Sequence, residues 1–129
     1  ILPGLLENLS KNIHETYPQK FFESGIVFSK DSPIKETASL ACVTASEETH
    51  FSKIKAVLQS LLRIGFNIKC ETKTLSKHAL FSQGRVAEIV INGKTVGYIG
   101  ELDSKVLENF RIRTRVVGFE IKLSGLIFD

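Results

Sequence analysis

The fold is decided by residues 84–110, GRVAEIVINGKTVGYIGELDSKVLENF. Two apolar-rich runs flank Asn92-Gly93, and a two-residue type I′ turn needs positive φ at both central positions. Asn tolerates that conformation and Gly adopts it freely. The stretch therefore predicts a hairpin, followed by a short helix that Asp103 or Ser104 can cap.

The turn also predicts the register of this hairpin. The expected pairs are Ile91 with Lys94, Ile89 with Val96, and Ala87 with Tyr98. On that register the other surface carries Val86, Glu88, Val90, Thr95, Gly97 and Ile99. Gly97, expected opposite Glu88, and Gly100 would leave room for something to approach the second strand closely.

Apolar periodicity places the other elements. Helices are predicted from Leu2 to Ile13 and from Phe51 to Leu62, the second with Thr49 as its cap and Gly65 as its stop. Strands are predicted at Gln19–Phe28, Glu36–Thr44, Phe66–Glu71 and Val116–Leu123. Lys73–Gln83 is expected to cross over the sheet or to lie outside it. This order predicts an α+β domain with a mostly antiparallel sheet flanked by helices.

Composition narrows the class of protein. A chain of 129 residues is long enough for one domain with a core, and its net charge of +3 permits contact with nucleic acid without arguing for it. No apolar run approaches the roughly 20 residues that span a bilayer. The chain has no Met, so we expect it to be a fragment of a longer protein. Its two Cys are compatible with a reducing compartment.

Two carboxylates interrupt apolar strands, and they are the strongest chemical candidates. Glu88 and Glu120 on one sheet surface could act as general acid and base, or they could be paired or solvent-facing. We therefore name Glu88, Gly97, Gly100 and Glu120 as a candidate ligand or interface surface. No catalytic, cofactor-binding or metal-binding residue is assigned.

Three arginines alternate with other residues after the short helix. In extended geometry Arg111, Arg113 and Arg115 share a face, where they could bind phosphate or form a solvated or ion-paired edge. Both readings stay open. Gly93-Lys94-Thr95 is not a phosphate-binding loop, because Glu88 stands where such a loop needs its first Gly.

Three stretches carry a family resemblance. Residues 84–110, Leu2–Phe28 (LPGLLENLSKNIHETYPQKFFESGIVF) and Val116–Leu126 (VVGFEIKLSGL) are similar to the C-terminal part of the phenylalanyl-tRNA synthetase β subunit of archaeal and eukaryotic type. The resemblance covers nearly the whole chain, in order. It implies one catalytic-like domain, residues 1–129, with a class II aminoacyl-tRNA synthetase-like antiparallel sheet.

The resemblance also implies that the domain is inactive. Active class II domains carry a phosphate-binding Arg after the first strand of their second signature motif and another in the third motif. Here Ser29 and Lys30 follow the matching strand, and residues 122–126, KLSGL, contain no Arg. Since Arg offers a planar, permanent charge to phosphate, we expect no adenylation of phenylalanine by this domain.

The implied function is therefore architectural. The domain would help to assemble a cytoplasmic heterotetrameric phenylalanine–tRNA ligase, with the α subunit, other β domains and, through the whole complex, tRNA(Phe) as partners. ATP and magnesium would belong to the α active site, with no cofactor in this domain. Two alternatives stay open: a module that binds an amino acid or nucleotide on the sheet, and an active ligase in which Lys30 and Lys122 replace arginine.

Overall fold

A computed structural model describes residues 2–12, 19–28 and 36–123. The helices are α1 (Leu2–Lys11), α2 (Phe51–Phe66) and α3 (Ser104–Asn109). The strands are β1 (Gln19–Phe28), β2 (Glu36–Ala45), β3 (Glu71–Leu75), β4 (Phe81–Ile91), β5 (Lys94–Leu102) and β6 (Val116–Lys122). The segment between the first two predicted strands, residues 29–35 with Lys30, lies outside these residues.

The strands form a single six-stranded sheet in the order β1-β2-β6-β5-β4-β3. Every neighbouring pair is antiparallel, so the predicted α+β class is confirmed. We call the side covered by α1 and α3 the α1 face, and the side covered by α2 the α2 face. No helix among the described residues has the length and apolar character needed to cross a membrane.

The α1 face is built on a leucine stripe. Leu2, Leu5, Leu6 and Leu9 recur at helical spacing and are all buried. They pack in one cluster with alternate residues of β2, including Val43, and with Leu107 of α3. Burial of each large side chain contributes roughly 1.5–3 kcal/mol before entropy costs, so this stripe fixes α1 on the sheet.

The α2 face has a separate cluster. Ile54, Leu58 and Leu62 of α2 are buried with Ile99 of β5 and Phe119 of β6. The helix packs against β5 and β6, at the middle of the sheet. Because α2 lies centrally, the β1 end of this face is not covered by it.

The central hairpin forms with a shifted register. Asn92 and Gly93 adopt φ of 52° and 78°, as the turn predicts, and Ile91 pairs with Lys94. A register shift between Ile89 and Val90 then pairs Ile89 with Gly97. The expected Ile89–Val96 and Ala87–Tyr98 pairs are wrong by one residue, because a bulge adds one unpaired residue to a strand.

The second helix and the strand after it also differ from the prediction. The N-cap of α2 is His50, not Thr49, and the helix continues through Gly65 to Phe66. Asn67 ends it in the left-handed conformation, so it has the role expected of Gly65. The predicted strand Phe66–Glu71 is wrong, since β3 begins at Glu71 and occupies part of the region expected outside the sheet.

Candidate functional site

The two carboxylates predicted from sequence lie in one row across the α1 face. Tyr98 pairs with Glu88 on one side and with Glu120 on the other. Directly paired residues of a sheet point to the same face, so the structure brings the two carboxylates together with a tyrosine between them. Two strand spacings separate their backbones, about 10 Å.

Helix α1 begins at this row. The backbone N–H of Leu2 donates a hydrogen bond of 3.1 Å to Oε1 of Glu120. The first N–H groups of a helix have no partner within the helix, and the positive end of the helix dipole lies there. Glu120 therefore binds the helix start, which is a structural role for this carboxylate.

A histidine also borders the row. The ring of His78 lies 4.6 Å from the Tyr98 ring and 5.0 Å from the Phe81 ring, measured between centroids. Nδ1 of His78 accepts a 3.2 Å hydrogen bond from the N–H of Leu80. Burial lowers the pKa of His78, and the charge of Glu120 opposes that shift. The neutral imidazole is the form that fits this environment.

The two glycines named from sequence lie on opposite faces. Gly97 pairs with Ile89 and Ile121 and belongs to the α2 face, so it is not opposite Glu88. A Cβ added to Gly97 would collide with the backbone of Glu120 and Ile121 in β6. The space expected for a ligand at Gly97 is occupied by the neighbouring strand.

Gly100 does lie on the α1 face, where it pairs with Val86 and Gly118. A Cβ added there would collide with the backbone of Arg85 and Val86 in β4. Close contact between strands thus explains this glycine as well, and the structure unites only Glu88, Gly100 and Glu120 of the four named residues.

The arginines after α3 do not form a strand. Arg111 has a positive φ of 58°, and Ile112 and Thr114 are buried between the exposed arginines. Arg115 binds Glu101 with its Nε at 3.1 Å from Oε1, and its Nη1 donates to the Thr49 carbonyl. The ion-paired reading therefore holds for Arg115.

Cys42 does not offer a reactive thiol, and the described residues do not form a metal centre. Cys42 is buried, and burial raises its pKa to about 11, so the thiol stays protonated near neutral pH. Within residues 2–12, 19–28 and 36–123 no group of three or more metal-ligating side chains comes together.

Sequence reasoning missed two features. Phe22 and Ile26 of β1 are 55% and 60% exposed, because β1 is an edge strand beyond the reach of α2. A cluster of Arg85, Glu101 and Arg115 joins β4, β5 and the segment before β6. Alternating apolar residues indicate a strand but not its place in the sheet order. No local sequence pattern indicates a cluster of side chains that come from three separate segments.

Comparison with known proteins identifies the family. The model of the phenylalanyl tRNA synthetase beta chain CLM domain matches residues 1–123. The phenylalanine–tRNA ligase beta subunit of Pyrococcus abyssi is 40% identical over 98% of this chain and 23% of its own length. That of Methanocaldococcus jannaschii is 38% identical over 95% of this chain and 23% of its own length. The chain thus spans about a quarter of the curated relatives that it matches.

A solved structure shows the same fold. A pyrrolysyl-tRNA synthetase from Desulfitobacterium hafniense superposes with a TM-score of 0.80 over 97% of this chain and 46% of that chain, at 17% sequence identity. The likeness agrees with the expected synthetase-like antiparallel sheet. The match of the family model over residues 1–123 shows that this chain belongs to the phenylalanyl-tRNA synthetase beta chain CLM domain family.

Proposed function

We propose that this domain is a noncatalytic assembly element of phenylalanine–tRNA ligase. In this proposal the α subunit attaches phenylalanine to tRNA(Phe) with ATP and magnesium, and this β-subunit domain holds the α subunit in place. The observation that carries the proposal is the exposed apolar side of β1.

Phe22 and Ile26 lie on this side with the exposed Ser24 between them, and we call these two apolar residues the β1 patch. They pair with Cys42 and Ala38 of β2, and Cys42 belongs to the α2-face cluster, so the patch lies on the α2 face. Both side chains are more than half exposed. Large apolar side chains grouped on a surface mark places where another polypeptide binds.

The outer edge of β1, beside the patch, is also suited to binding a partner. β1 has ten residues paired without a bulge, and none of the described residues forms a strand on its outer side. The other edge strand, β3, has five residues, and its Glu71 and Lys73 are exposed. Proteins often keep edge strands short or place charged side chains on them, which hinders pairing with other chains. The short β3 follows that rule more closely than β1 does. A partner at β1 would bury the patch and complete the edge.

The α1 face supports the noncatalytic part of the proposal. Glu120 already binds the start of α1, and the leucines of that helix pack over the neighbouring strands. Lys122 is exposed on β6, within the stretch Val116–Leu126 that the family resemblance matches to the third motif. A single Lys lacks the forked donors with which Arg holds phosphate oxygens.

Co-purification tests the assembly role. A full-length β subunit containing this domain is co-expressed with its α subunit, with and without the pair Phe22→Ser and Ile26→Ser. Since central apolar anchors dominate interface energies, we expect the recovered complex to fall by about tenfold. Ile64→Ser is the matched control, because Ile64 is 79% exposed on α2, outside the patch.

Thermal unfolding of the 129-residue variants shows whether they are still folded. The exposed substitutions should change the melting temperature little, so loss of complex then reflects a lost contact. A folded double variant that binds α as well as the wild type would overturn the patch as the interface. A wild-type β subunit that does not bind α would overturn the assembly role itself.

A further inference from the structure

We propose that a cavity at the start of α2 binds the phosphate group of a small ligand. The cavity has a volume of about 420 Å³, and we call it the α2-end cavity. Residues from α2, β3, β4 and β5 and the segment before β6 line it, among them His50, Phe51, Thr72, Thr74, Arg85 and Arg115. It lies on the other face from the Glu88–Glu120 row, and the proposal does not depend on the assembly role.

The charges around the cavity favour an anion. Nη1 of Arg85 lies 2.6 Å from Oε2 of Glu101, and Nε of Arg115 lies 3.1 Å from Oε1. Two guanidinium groups thus share one carboxylate, which leaves one formal positive charge among the lining residues. Each guanidinium has five N–H donors, so one carboxylate cannot use them all.

The start of α2 also favours an anion in the cavity. α2 has sixteen residues, and its N-cap, His50, makes no side-chain capping hydrogen bond. Since His50 and Phe51 line the cavity, the positive end of the helix dipole lies at its wall. Backbone N–H groups at a helix start are suited to phosphate oxygens when cations stand beside them.

The remaining walls suit a ligand larger than phosphate alone. Thr72 and Thr74 of β3 pair with Ile89 and Ala87, so their hydroxyls lie on the α2 face and can donate to oxygen. Phe51 adds an aromatic side chain. The volume falls within the range of small-molecule sites, roughly 300–1,000 Å³, and exceeds the need of a lone phosphate. A phosphate group, either free or on a nucleotide, is the chemistry that matches these walls.

Nuclear magnetic resonance of the isotopically labelled 129-residue chain tests the site. Inorganic phosphate and AMP are titrated separately at constant ionic strength. We expect saturable shifts of the amide signals of Phe51, Ser52, Thr72 and Thr74 with at least one probe. Equal affinity for both probes identifies a free-phosphate site, whereas tighter binding of AMP with added shifts at Ala87 identifies a nucleotide site.

Three variants make the test specific. Arg85→Gln should weaken binding about tenfold, because it removes one charged donor from an exposed position. Glu101→Gln should tighten binding, because it removes the carboxylate that competes for both arginines. Arg113→Gln, which changes an exposed arginine outside the cavity, should leave the affinity unchanged.

Several results would overturn the proposal. These are no saturable shift with either probe, shifts away from the cavity, and equal weakening by Arg85→Gln and Arg113→Gln. A short RNA that binds while phosphate and AMP do not would also overturn it, in favour of a nucleic-acid surface. None of these outcomes bears on the β1 patch, so the two proposals fail separately.

Discussion

The backbone N–H of Leu2 donates a 3.1 Å hydrogen bond to the carboxylate of Glu120, 118 positions further along the chain. The first turn of α1 is thereby joined to β6, in the middle of the sheet. Glu120→Gln keeps an acceptor oxygen but removes the charge that favours the helix start. We expect the free energy of unfolding to fall by about 0.5–1 kcal/mol in urea titrations.

Glu88→Gln is the matched control for that substitution. Glu88 is also half-buried and lies in the same row, on the far side of Tyr98 from the carboxylate that Leu2 contacts. The free energy of unfolding should fall less than with Glu120→Gln. Equal losses would mean that the contact with α1 does not explain the Glu120 effect.

The environment of His78 predicts a dependence of stability on pH. Because burial lowers its pKa below the ordinary value of 6.5, the unfolded chain takes up the proton first as the pH falls. The free energy of unfolding should therefore decrease as the pH falls through 6.5 towards the lowered pKa of the folded chain, and the contribution of neutral His78 is fully present well above pH 6.5. Chemical denaturation at several pH values measures this slope.

His78→Gln should make that slope shallower, since an amide does not titrate. Phe81→Leu removes a ring beside His78 but keeps the imidazole, so it should lower stability and retain the slope. A slope that is the same in the wild type and in His78→Gln would assign the pH dependence to other groups.

Two glycines should respond in opposite directions to alanine. Gly97→Ala would drive a Cβ into the backbone of β6, and we expect the free energy of unfolding to fall by about 1–3 kcal/mol or more. Gly65 lies within α2, and an added Cβ there meets no atom within 4 Å among the described residues. Gly65→Ala should raise the free energy of unfolding by about 0.5–1 kcal/mol. Melting temperatures compare the two, and a stable Gly97→Ala variant would contradict the strand-contact explanation.

Thr49 offers a test of the corrected helix start. Its side chain is buried, and within the part of the chain that the structure describes its hydroxyl has no hydrogen-bond partner. Thr49→Val removes that hydroxyl with little change of shape, so the free energy of unfolding should rise, by about 1 kcal/mol. A capping hydroxyl would give the reverse sign, and urea titration distinguishes the two.

The noncatalytic proposal predicts an inactive domain. The 129-residue chain alone should show no phenylalanine-dependent exchange of pyrophosphate into ATP. In a complete ligase, Lys122→Gln should leave the exchange rate within about twofold, whereas loss of a cation that holds transferring phosphate costs far more. Exchange by the isolated chain, abolished by Lys122→Gln, would favour the active-ligase alternative.

Local sequence patterns predicted most of the elements. Helical leucine spacing marks α1, apolar periodicity marks β1, β2 and β6, and the carboxylate of Asp103 caps α3 through the N–H of Lys105. The errors occur where two signals compete. Phe66 and Ile68 alternate with polar neighbours as in a strand, yet α2 continues to Phe66 because its helical stripe packs on the sheet.

The candidate surface was predicted less well, and Gly97 shows why. Side chains of a strand alternate between faces. The register shift between Ile89 and Val90 therefore places the residues of β5 from Gly97 onwards on the face opposite to the predicted one. The sequence predicted the turn at Asn92-Gly93 correctly, but no residue pattern around Ile89 indicated the bulge.

By itself the sequence determined the family, the α+β class and the turn of the central hairpin, because each is encoded in nearby residues. Only the tertiary structure decided that Tyr98 separates the two carboxylates, that Arg85 and Arg115 share Glu101, and that the β1 patch stays uncovered. These relations join distant segments through sheet order and register, which depend on the packing of the whole chain rather than on any short stretch of it.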